Sequence, residues 1–101
     1  MNADWVYLNP EQKPITTSIM VSEVFGELHR SVLAKIEMLD FASEFFLRNF
    51  NEIQYVDEEW QLKRAYEMTR DGFGFISIGF TGKQAAQYSL AYIDSFDNCR
   101  N

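Results

Sequence analysis

The sequence predicts an α+β fold: a small single domain, winged helix-turn-helix-like, with about four helices and a β-hairpin. Two observations lead there. Gly26 separates a short apolar segment after Ser18 from a longer one in which Leu28, Val32, Ile36 and Leu39 recur at helical spacing. Further along, alternation at Ile53 and Tyr55, and again at Tyr66 and Met68, flanks the polar segment Asp57-Glu58-Glu59-Trp60-Gln61, the pattern of a hairpin with an acidic tip. Hydrophobic residues make up 47% of the 101 residues, enough for one core and too many for a disordered chain. The whole chain, 1–101, therefore reads as one domain.

Taken in order, Trp5 to Leu8 form an apolar run stopped by Asn9-Pro10, and Ile15 to Thr17 return beside it as a ragged hairpin. Ser18 offers an N-cap for a helix holding Val21, Val24 and Phe25, which Gly26 ends. The second helix begins near Glu27 or Leu28 and is the best supported in the chain. Phe45, Phe46 and Phe50 then fold under the helical pair. Strands Glu52 to Val56 and Arg64 to Thr69 make the hairpin. Thr69 caps a short helix opened by Arg70 and Asp71, with Gly72 leaving room for another backbone. Gly79 permits a sharp reversal, Thr81 caps the next helix, and Phe73, Phe75, Ile76, Ile78 and Phe80 pack the corner between them. The last helix runs from about Lys83 to Phe96 with Ala86, Leu90 and Ile93 on one face, Tyr92 and Phe96 beside it, and a stop near Asp97-Asn98.

Charge bounds the function. Nine Lys and Arg face fifteen Asp and Glu, a net charge of −6, which argues against an extended phosphate-binding surface and allows a small one if the cations are segregated. One cysteine, Cys99, gives neither a disulfide framework nor a metal quartet, and no cofactor or metal is implied. The acids Asp57, Glu58 and Glu59 lack the glycine and ligand spacing of a calcium loop, and nothing pairs two carboxylates for acid-base work. No enzyme is expected. No apolar run is long enough to span a membrane, so a cytoplasmic location in the host cell is the expectation.

The segments from Tyr66 to Phe73 and from Ile78 to Ala86, with Tyr92, Ile93 and Phe96 beyond them, resemble the signature of the phage Rha family of regulatory proteins. The similarity runs from about residue 17 to 96. It takes in Ser18, Val21, Ser22, Gly26, Leu28, His29, Val32, Leu33 and Ile36, then Asn49, Phe50, Tyr55 and Asp57. It implies a small phage or prophage regulator, related in outline to DNA-binding domains found near antirepressor modules, whose members often continue into a second, C-terminal domain. Glu27 stands where the family usually has lysine, and Gln84 and Ser89 where its last helix carries more of them.

Two readings of the site follow. In the first, the helix starting near residue 27 contacts DNA through His29, Arg30 and Lys35, with Arg70 and Lys83 completing a cationic patch, and the protein acts as a homodimer. In the second, Glu27, Asp57, Glu58, Glu59 and Trp60 bind a host protein with a cationic surface, making the chain an inhibitor of a nucleic-acid-binding or defence complex, in the manner of an anti-CRISPR protein.

Overall fold

In the computed structural model, residues 5–99 are described. They form two short strands, three helices, a long hairpin and two further helices: β1 (Tyr7–Leu8), β2 (Pro14–Thr17), α1 (Ser18–Phe25), α2 (His29–Glu37), α3 (Glu44–Asn49), β3 (Phe50–Val56), β4 (Leu62–Met68), α4 (Arg70–Ser77) and α5 (Lys83–Asn98). The α+β class holds, with five helices in place of about four. The four strands make one antiparallel sheet in the order β1-β2-β4-β3, so β2, which leads into α1, pairs with the second strand of the hairpin.

The caps explain most helix boundaries. Thr17, one residue before the expected Ser18, accepts the Met20 N–H at 3.1 Å. Ser18 is thereby freed for a buried role. Gly26 closes α1 with φ 68°, a left-handed conformation that costs glycine nothing. The unforeseen helix α3 is capped by Ser43, whose hydroxyl accepts the Phe46 N–H, and it carries Glu44 in its first turn. Thr69 caps α4 as expected, accepting from the Gly72 N–H. A side chain at Gly72 would meet the Asn49 carbonyl at 3.0 Å, so the close backbone approach anticipated there is real.

Several expectations are corrected. The first strand is only Tyr7–Leu8, with Trp5 and Val6 lying before it. The residue capping α5 is Gly82, at φ 104°, and not Thr81. Gly82 therefore makes the reversal assigned to Gly79, whose backbone is ordinary. Gly79 instead makes room for Lys35, whose Cε would lie 2.7 Å from a Cβ at that position. The helix α5 ends at Cys99 without a left-handed cap at Asn98. Its buried side is Tyr92 and Phe96, while Ala86 is exposed and Leu90 is 72% exposed. Leu28, Phe45, Phe75 and Ile78 likewise face solvent.

The core is aromatic. Phe73 stacks on Tyr92 with ring centroids 4.3 Å apart, Phe25 stacks on Phe80 at 4.5 Å, and Phe46 stacks on Phe50 at 5.3 Å. Val21, Val32, Ile36, Met68 and Ile76 fill the space between these rings. The Tyr92 hydroxyl is satisfied: it donates to Thr16 Oγ1 at 2.8 Å, and Thr16 donates to the Trp5 carbonyl at 2.7 Å. Burial pushes the Tyr92 phenol well above its usual range, so it remains a neutral structural group.

Candidate functional site

Three residues, Gly26-Glu27-Leu28, separate α1 from α2. Val32 and Ile36 hold α2 against the core, which turns Arg30, Ala34 and Met38, spaced four apart, outward along one exposed row. Glu27 is exposed at the entrance to that row. Apart from Arg30 the row is uncharged, and Ala34 leaves its middle low enough for a partner to approach the backbone.

His29 opens α2 but is tied inward. Its Nε2 lies 2.9 Å from Ser18 Oγ, and the same hydroxyl oxygen accepts the buried Tyr66 N–H at 3.0 Å. One serine thus joins the starts of α1 and α2 to strand β4. The imidazole also packs edge-on against Tyr55, with centroids 6.0 Å apart. Burial, reinforced by the nearby Arg64 guanidinium, lowers the His29 pKa and keeps the ring neutral near pH 7. A second strut joins helix to hairpin where Arg64 on β4 pairs with Glu37 at the end of α2. That hydrogen bond raises the Arg64 pKa. From the sequence Ser18 read only as a helix cap and the Arg64–Glu37 pair was not foreseen, because both roles depend on strand β4 lying against the helical pair. A signal was present at Ser18, since a Thr-Ser pair offers two candidate caps and leaves one hydroxyl for another task.

The other cations divide into two groups. Lys35 lies over the Phe80 ring, its Nζ 5.3 Å from the centroid, at the corner that leads into α5. Lys83 is exposed in the first turn of α5, just beyond that corner. Arg70 sits at the far end of α4, roughly 12 Å away by helical rise, and pairs with Asp97 at 2.9 Å. Arg30 thus lies on the exposed row of α2, Lys35 on the side of the same helix that meets Phe80, and Lys83 at the start of α5, while Arg70 is held at the other end of α4. The first three make no ion pair among the described residues, whereas Arg48, Lys63, Arg64 and Arg70 each do.

A separate groove of about 1000 Å³ runs between the β1–β2 turn and α3, bordered by Asn9, Lys13, Arg48, Asn49, Asn51 and Glu67. None of the candidate DNA-binding or protein-binding residues lines it. Among the described residues, no group of three or more His, Cys, Asp or Glu is placed to hold a metal ion, and no helix is long and apolar enough to cross a membrane.

With that geometry established, the model of the family described as phage regulatory protein Rha matches residues 16–101. The chain belongs to the Rha family. It is 31% identical over 96 residues to an uncharacterised protein of Haemophilus influenzae, covering 92% of this chain and 56% of that protein. It is 26% identical over 93 residues to an uncharacterised 22.8 kDa protein from the gp15-gp3 intergenic region of Salmonella phage P22, covering 86% of this chain and 45% of the relative. The chain spans about half the length of these curated relatives. No solved structure matches.

The Rha match begins at Thr16, inside β2, and so takes in α1, α2, the β3–β4 hairpin and most of the core while omitting β1 and the buried Val6 and Ile15. Both surfaces considered from the sequence fall within it. At the hairpin, Asp57 differs from its acidic neighbours: its Oδ1 accepts the Glu59 and Gln61 N–H groups, each at 2.9 Å, and its Oδ2 lies 3.9 Å from Lys63 Nζ. Asp57 shapes the loop, leaving Glu58, Glu59, Trp60 and Gln61 exposed.

Proposed function

We propose that this Rha-family chain is a non-enzymatic phage regulator that binds duplex DNA through α2, in the manner of a winged helix-turn-helix protein. The observation that supports it most is the order of elements: strand β2, the α1 and α2 pair with its short glycine-containing turn, then a hairpin whose second strand returns to pair with β2. In that arrangement α2 is the helix offered to the major groove and the hairpin is the wing. Arg30 projects from the outward row of α2, and Arg30, Lys35 and Lys83 are the three cations offered to phosphates. His29 serves the scaffold, fixing the angle of α2 through Ser18.

Few cations means modest affinity with a shallow salt dependence. Three phosphate contacts give a slope of log K against log salt of about −2.7. Electrophoretic mobility shift on duplexes from the regulatory regions of the phage and its host tests this directly. Arg30→Ala is expected to weaken binding about tenfold, while a charge change at Arg70 leaves it unaltered.

A further inference from the structure

The loop between β3 and β4 has a twin between β1 and β2. In each, an Asx oxygen accepts two backbone N–H groups at 2.9 Å: Asn9 from Glu11 and Lys13, Asp57 from Glu59 and Gln61. The same two residues also take the backbone bonds, from the Gln12 N–H at 2.8 Å and the Trp60 N–H at 3.0 Å. The next-to-last residue of each loop is left-handed, Gln12 at φ 65° and Trp60 at φ 63°. Loops of this kind ordinarily place glycine or asparagine there. An L-residue in that conformation costs about 1–2 kcal/mol.

Gln12 shows that the turn forms without an aromatic residue, and Trp60 draws no packing in return, since it is 87% exposed. Val56 and Leu62, the register partners that close the loop, are also 55% and 63% exposed. Three large apolar side chains thus crowd one rigid tip. Glu58 and Glu59 make no ion pair among the described residues.

We infer that the β3–β4 tip is a docking finger for a partner protein, which receives Trp60 in an apolar pocket and meets Glu58 and Glu59 with Lys or Arg at the rim. Charge selects that occupant. Duplex DNA and anionic lipid surfaces repel the two glutamates, and a second copy of a chain carrying −6 is disfavoured for the same reason. A protruding indole on a loop fixed in advance loses little conformational freedom when it docks, the property that makes tryptophan a frequent anchor. This surface is separate from the α2 face, so either can fail alone.

The test places a photo-crosslinking amino acid at Glu59 of the full chain, produced in its own host, and identifies the adduct by mass spectrometry. The same group at exposed Leu90 serves as the control. The identified protein is then purified and its affinity measured. The expected adduct is a protein rich in Lys and Arg, formed from position 59 and not from 90. Trp60→Ala, and separately the pair Glu58→Lys and Glu59→Lys, should each weaken its binding by about thirtyfold. Arg30→Ala should leave that binding unchanged. No specific adduct, an adduct with nucleic acid or with a second copy, or an affinity indifferent to Trp60→Ala would overturn the inference.

Discussion

Ser18 is the residue on which the site's geometry turns. Its side chain satisfies a buried backbone N–H on β4 and holds the imidazole at the head of α2. Ser18→Ala leaves the Tyr66 N–H without a partner and is expected to cost about 1–3 kcal/mol, read from urea denaturation. His29 adds a dependence on pH. Its folded pKa lies below the ordinary 6.5, so the unfolded chain takes up the proton first. The stability that neutral His29 contributes is therefore complete above pH 6.5 and is lost as pH falls through the folded value. Urea midpoints should drop over that interval, and His29→Gln should remove that part of the drop. From sequence alone His29 read as a DNA contact, because its partner Ser18 belongs to another helix.

At the scale of elements, periodicity was legible where one face alone is apolar. The spacing of Val32 and Ile36 located α2, and the alternation around Asp57–Gln61 located the hairpin, although its strands run two residues further toward Phe50 and Leu62 than expected. Helix α5 was misread because it has two apolar stripes. Ala86, Leu90 and Ile93 make one, and Tyr88, Tyr92 and Phe96, spaced four apart, make the other. Ring stacking on Phe73 decides for the aromatic stripe. Leu90→Ala is accordingly expected to change stability by less than about 0.5 kcal/mol, whereas Tyr92→Ala should cost about 3–5 kcal/mol. Thermal or urea unfolding of the two variants checks the register. Helix α3 escaped notice because six residues are too few to show a helical period, and its cap, Ser43, carries little weight without one.

For the whole molecule, the sum of charges misleads and their placement informs. Nine cations against fifteen acids suggests an anionic surface throughout. Yet four of the cations are held in ion pairs, and Arg30, Lys35 and Lys83 make none among the described residues. The acids Glu58 and Glu59 stand on the hairpin tip, beyond the Arg64–Glu37 strut that joins hairpin to α2. That separation was not readable from sequence, since it depends on which cations find partners across the fold, such as Arg70 with Asp97. The family, by contrast, was legible, carried by residues spread from β2 to α5.

In the function proposed for this chain, α2 meets DNA with a small set of cations. Its most direct test is the salt dependence of duplex binding for the wild-type chain and for Arg30→Ala. Retardation at low salt is expected, with a log-log slope near −2.7 that becomes shallower by about 0.9 in the variant. No retardation at low salt, or an unchanged slope and affinity for Arg30→Ala, would contradict it.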